Sequence, residues 1–181
     1  MLIHPETSCL LVIDIQERMT PVIHQVEQCV AHCEWLIDIA NRLEVPVLAT
    51  EQYPQGLGST LSSIRDRIRP EHIVEKIHFS AMSDAEPDRL INAGQYSQII
   101  LIGMESHVCV LQTALELKQQ GKTVFIVEDC VSSRSPDDKA TALARFRQCG
   151  IYIVSREMVA FEWLRRAGTD RFREISKAYL R

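Results

Sequence analysis

The sequence predicts an α/β protein with three layers, α/β/α, around a doubly wound, mostly parallel sheet of about six strands. Three observations lead there. Short runs rich in Val and Ile alternate with stretches of helical period, so the strands need right-handed crossovers. The apolar runs are nearly continuous, as in a parallel sheet covered on both faces. Polar residues gather at the ends of these runs, the edge where open parallel sheets bind ligands.

Taken in order, "CLLVIDIQ" (9–16) reads as a strand. "VEQCVAHCEWLIDIANRLEV" (26–45) reads as a helix, with Val30, Trp35, Ile37 and Leu43 among its apolar positions. "PVLATEQ" (46–52) is a strand, and the Gly and Pro cluster "YPQGLGST" (53–60) is a loop within the domain. "HIVEKIHF" (72–79) is a strand of imperfect alternation, and "EPDRLINAG" (86–94) a short helix stopped at Gly94. The strand "QIILIG" (98–103) follows, then a helix opening near Cys109 and ending at Gly121, then the strand "TVFIVED" (123–129). "SPDDKATALARFRQCG" (135–150) is a helix with full punctuation. Ser135 suits its N-cap, Pro136 its first position, Asp137 and Asp138 its positive dipole end, and Gly150 its stop. "IYIVS" (151–155) is the last strand and "REMVAFEWLRRAG" (156–168) a helix. The tail "TDRFREISKAYLR" reads as a further short helix, docked on the body or on a second subunit.

A chain of 181 residues is expected to form one domain, 1–181, and one of this size buries about 70% of its unfolded surface. The net charge of -4 and pI near 5.9 argue against a nucleic-acid partner. No apolar run approaches the ~20 residues of a bilayer span, so no membrane partner is expected. Asp14 interrupts the first apolar segment and no basic region precedes it, so it reads as a buried strand, not a signal peptide. Six cysteines, at 9, 29, 33, 109, 130 and 149, form no CxxC pair, and most read as buried thiols in a reducing cytoplasm.

Asp14 closes the first strand, Glu51 and Gln52 the second, Lys76 stands late in the third, and Cys109 follows the fourth. A cysteine opening a helix faces unpaired N–H groups, which favour thiolate and lower its pKa from ~8.5. The same N–H groups can hold an oxyanion, a carboxylate can take the thiol proton, and a lysine can orient that carboxylate. Asp14, Lys76 and Cys109 thus supply a hydrolytic set. Taken singly, each also has an ordinary structural role as a loop cap, an ion-pair partner or a packed thiol.

"LLVIDIQ", "TEQYPQGLG", "EKIHFS", "GMESHVCVLQTALEL" and "VEDCVSSR" occur in this order along nearly the whole chain. In them the sequence resembles the isochorismatase-like cysteine hydrolases, and in particular their small isochorismatase-domain-containing subgroup. The resemblance implies that Asp14 is general base and acid, Lys76 its cationic partner and Cys109 the nucleophile. It implies an oxyanion hole from the backbone N–H groups of Glu105 and Cys109, and a non-proline cis peptide between Met104 and Glu105. The metal-binding nicotinamidases of this superfamily place an Asp-x-His pair and a further His after the second strand. Here that region reads "ATEQYPQGLG" without His, so no metal and no cofactor are expected.

Gln16, Tyr53, Phe79 and His107 are candidates to line a substrate pocket, with core or loop packing as the alternative. Arg134 binds a carboxylate or braces its loop, and bracing is preferred. The expected function is metal-independent hydrolysis of a small amide-like substrate through a thioester. Alternatives are vinyl-ether hydrolysis, a non-catalytic binding protein, and a redox sensor in which Cys130 resolves Cys109. Symmetric association is common among enzymes, so a homo-oligomer, preferably a dimer, is expected, with Phe161, Trp163 and Tyr179 as anchors.

Overall fold

The computed structural model describes residues 1–180. In chain order the elements are β1 (Ser8–Ile13), α1 (Val26–Arg42), β2 (Val47–Gln52), α2 (Pro54–Leu57), α3 (Ser62–Arg65) and β3 (Ile73–Lys76). These are followed by α4 (Ala85–Ala93), β4 (Gln98–Met104), α5 (Cys109–Gln119) and β5 (Thr123–Ser132). The chain ends with α6 (Pro136–Gln148), β6 (Tyr152–Val154), α7 (Arg156–Leu164) and α8 (Asp170–Tyr179). Short 3-10 turns join several of them.

All strand pairings are parallel, in the order β3-β2-β1-β4-β5-β6. The expected six-stranded, doubly wound sheet is therefore present. Its order reverses between β1 and β4, the switch point at which such sheets open a crevice. Side chains along β1 alternate between the two faces, as the strand period of two requires. Leu10 and Val12 join the core under α1, α7 and α8, while Cys9, Leu11 and Ile13 join the core under α4, α5 and α6. Both faces are covered, which is why β1, β2 and β4 are buried throughout.

Sequence expectation and structure differ mainly at element ends. The third strand stops at Lys76, because the following residues turn back to enclose its ammonium. The fifth strand runs on to Ser132 through an irregularity in which Leu101 pairs with Ile126 but Gly103 pairs with Val131. Five residues of β5 thus advance against two of β4, a bulge that pushes Glu128 to Cys130 out of register. The loop after β2 contains two helical turns, α2 and α3.

Helix punctuation follows the sequence closely at α6. The Ser135 hydroxyl accepts a hydrogen bond from the Asp137 N–H, and Pro136 begins the helix. The tail helix docks on the body, with Ile175 fully buried and the Trp35 indole donating to the Tyr179 carbonyl at 2.9 Å.

Candidate active site

Four strand ends converge at the switch point. Asp14 follows β1 directly, with φ at 50°, and its N–H donates to the Thr50 carbonyl at 3.2 Å. The carboxylate turns inward and is fully buried. Lys76 ends β3 two strands away and is also buried, so its long side chain reaches under β2 to the same point.

The Lys76 ammonium lies 2.7 Å from Asp14 Oδ2. It also donates to Gln52 Oε1 at 2.7 Å, to the Phe79 carbonyl at 3.0 Å and to the His78 carbonyl at 3.3 Å. The Thr50 hydroxyl donates to Asp14 Oδ1 at 2.7 Å. Apart from the ion-pair contact, Oδ2 has no hydrogen-bond partner within the described residues. A buried pair of this kind persists only with its remaining valences satisfied, and Thr50, Gln52 and two carbonyls do that for all but Oδ2.

Cys109 is the first residue of α5 and is buried, at 3% exposure. The charges of both Asp14 and Lys76 act on its thiol. The preceding turn is fastened by Ser106, whose N–H and hydroxyl both donate to the Ser132 carbonyl, at 2.8 and 2.9 Å. The Glu105 carbonyl accepts from the Val108 and Val110 N–H groups. The N–H groups of Glu105 and Cys109 donate to no acceptor within the described residues, and the Met104–Glu105 peptide is cis. Arg134 Nε donates to Glu105 Oε1 at 2.7 Å, the bracing role preferred from the sequence.

Burial corrects one expectation. The helix start was expected to favour the thiolate of Cys109, yet the thiol is pushed up to about 12. Burial is the first cause and the Asp14 charge the second, while Lys76 opposes them. Burial likewise raises Asp14, against the pull of Lys76 and the Lys76 and Thr50 hydrogen bonds. At rest Cys109 therefore carries a neutral thiol, and Asp14 is a stronger base than an ordinary carboxylate.

The other candidates divide. Gln16 is buried and fully engaged: its amide donates to the carbonyls of Gln52 and Gly58, and its Oε1 accepts from the Gln52 N–H. It braces the β2 loop. Glu51 is committed to the same loop, accepting from the Thr60 N–H and facing Arg65. His107 Nδ1 is 2.9 Å from the Ser133 hydroxyl. Tyr53 and Phe79 keep exposed rings, and each is tied to Lys76 through the backbone, Tyr53 by its N–H to the Lys76 carbonyl. His72 Nδ1 meets the Val47 carbonyl at the opposite edge of the sheet, and His78 pairs with Asp84.

Thr50 and Gln52 escaped the sequence reading as partners of the pair. Their signal was present: two polar residues at i and i+2 near a strand end share one face. Among the described residues no three His, Cys, Asp or Glu side chains cluster as a metal site. A cavity of about 530 Å³ lies at the ends of β5 and β6, and none of Asp14, Lys76 and Cys109 lines it. Its size does not make it the reacting centre, because the buried charge pair and the thiol stand elsewhere.

Comparison with known proteins matches residues 8–158 to the Isochorismatase domain. The chain belongs to the isochorismatase family. Isochorismatase domain-containing protein 2A of Mus musculus is 39% identical over 174 residues, covering 96% of this chain and 82% of that protein. The structure of a MAR1 ribonuclease from Caenorhabditis elegans superposes with a TM-score of 0.92 at 32% identity, covering 100% and 93% of the two chains. The Escherichia coli YcaC gene product, described as an octameric hydrolase, has a TM-score of 0.92 over 99% and 91% of the chains. Its identity is 18%, so that likeness speaks for the fold alone. Members of the isochorismatase family are generally hydrolases, and the solved structures above share this chain's fold.

Proposed function

We propose that this isochorismatase-family protein is a metal-independent cysteine hydrolase of a small amide-like substrate. The observation that carries the proposal is the buried Lys76–Asp14 pair, 2.7 Å apart, whose two charges both act on the buried Cys109 thiol at the start of α5. In the first step the Cys109 sulfur attacks the substrate carbonyl carbon as its proton passes to Asp14. Negative charge then grows on the carbonyl oxygen, and the N–H groups of Glu105 and Cys109 are the donors assigned to it. Collapse breaks the C–N bond, and Asp14 returns the proton to the departing nitrogen. Water, deprotonated by Asp14, cleaves the thioester and regenerates the thiol.

Lys76 keeps Asp14 ionised and oriented when no proton is held. Cys109 supplies the nucleophile, so this route needs no metal-bound hydroxide. Tyr53 and Phe79 offer exposed aromatic rings at the rim for an apolar substituent. The six free thiols suit a reducing cytoplasm, and the proposal places the enzyme there as a single domain over residues 1–181.

The test is a hydrolysis screen of small amides, with intact-mass detection of an acyl-enzyme and Cys109→Ala as control. An adduct on Cys109 that decays with turnover supports the reading. Turnover retained in Cys109→Ala would sink it.

A further inference from the structure

Three of the cysteines form a cluster away from the proposed reacting centre. Cys29 and Cys33 stand four residues apart on α1, and therefore on one helix face. Cys33 donates to the Cys130 carbonyl at 3.3 Å, and Cys29 lies one helical turn before it. Cys130 reaches this cluster through the β5 bulge and belongs to the core under α1, whereas Cys109 belongs to the core on the other face of the sheet. The sheet thus separates Cys130 from Cys109, and the pairing considered from the sequence is corrected: Cys130 is no resolving partner for Cys109.

Cys33 and Cys130 are fully buried, and Cys29, itself only 5% exposed, lines the cavity of about 530 Å³. That volume is ample for a small peptide-like ligand. His24, His32, Lys139 and Arg147 share its wall with the acidic Glu128 and Asp129. Arg147 pairs with Glu128 at 3.4 Å and Arg156 pairs with Asp129, which leaves the Lys139 ammonium without an ion-pair partner among the described residues. Interaction with the neighbouring Cys33 thiol, aided by the charge of Lys139, holds the Cys29 thiol below its ordinary value against the effect of burial. Burial instead pushes Cys9 to about 12 and raises Cys33 and Cys130.

From the cluster, the cavity and its uncompensated cation, we infer that Cys29 is a modification site for an anionic low-molecular-weight disulfide, of which glutathione disulfide is the probe. The Cys29 thiolate attacks one sulfur of the reagent, its S–S bond breaks, and a mixed disulfide forms at Cys29. The other half leaves as a thiolate and takes up the proton that Cys29 shed. Cys29 is oxidised and one glutathione is reduced, so no further reagent is needed. Lys139 attracts the carboxylates of the incoming reagent, and Cys33 steadies the attacking sulfur.

The experiment treats the native full chain, and its Cys109→Ser variant, with glutathione disulfide or with the cationic disulfide cystamine. Adducts are counted by intact mass and mapped by peptide mass spectrometry. Expected are one adduct at Cys29 in both proteins, faster modification by glutathione disulfide than by cystamine, and a several-fold slower reaction in Lys139→Gln. An adduct on Cys149 or Cys109 with Cys29 untouched, no adduct at all, or cystamine reacting at Cys29 as fast as glutathione disulfide would each overturn the inference. The reagent comparison uses the unsubstituted chain, so the outcome does not depend on a variant folding.

Discussion

At the scale of single residues, the Lys76–Asp14 pair dominates. Replacing Lys76 by Met leaves a buried carboxylate without its counter-charge, which costs roughly 3–5 kcal/mol in a chemical unfolding experiment. Turnover should fall by roughly 10²–10⁴-fold, because the base is no longer held ionised and aimed; near-normal activity in a folded variant would remove Lys76 from the mechanism. In the proposed mechanism Asp14 also sets the pH profile. It must be ionised to take the thiol proton, so activity should rise with pH through its raised pKa, above the ordinary 3.8. No alkaline limb from Cys109 is expected below about 12. Stability carries the opposite sign. A raised folded value favours the native state fully below pH 3.8 and loses that contribution as pH climbs through the folded value. Asp14→Asn should flatten that part of a stability-against-pH curve. Glu51 and Gln52 are already engaged by Thr60 and Lys76, so prolonged EDTA should leave turnover unchanged. Loss with chelator, restored by Zn²⁺, Mn²⁺ or Fe²⁺, would reopen a metal-dependent mechanism.

At the scale of elements, the proposed proton exchange between Asp14 and Cys109 requires β1 and β4 to lie close together. Gly103 makes that approach possible. It pairs with Ile13, has φ at +118°, and an added Cβ would stand 2.1 Å from the Ile13 carbonyl oxygen. That contact is with backbone, which cannot swing aside. Gly103→Ala should therefore destabilise by about 2–4 kcal/mol, combining positive-φ strain with overpacking, and should lower activity by displacing Asp14. Thermal unfolding and turnover of the folded fraction check this, and a variant unchanged in both would show that the strands tolerate separation. The β5 bulge acts in the other direction. It carries Cys130 and Asp129 toward α1 and forms a wall of the cavity of about 530 Å³.

At the scale of the whole molecule, association is the open expectation. Of the anchors read from sequence, Trp163 is buried with its indole donating to the Ser8 hydroxyl at 3.0 Å, and the Tyr179 hydroxyl accepts from Arg42 at 3.0 Å. Both serve the fold of one chain. Phe161 remains exposed on α7, beside Met158. A homo-oligomer, with a dimer as the smallest form, is expected at micromolar concentration; light scattering that returned the chain mass of 20.6 kDa would refute it.

The sequence by itself determined the number, type and order of the main elements, and the strand ends that carry Asp14, Gln52, Lys76 and Cys109. These are local properties: apolar period, caps and glycine stops act within a few residues. Helix starts were legible for the same reason, as Ser135 shows. Three matters were decided only by tertiary structure. Strand order, with β1 beside β4, brings Asp14 to Cys109 across more than ninety positions of chain. The sheet sets Cys130 apart from Cys109 and joins it to Cys29 and Cys33, because a bulge changes which face a residue meets. Burial raises the Cys109 thiol where the helix start alone argued for lowering it. Each depends on what packs around a group, and desolvation is a property of that whole surrounding volume, not of neighbours in sequence.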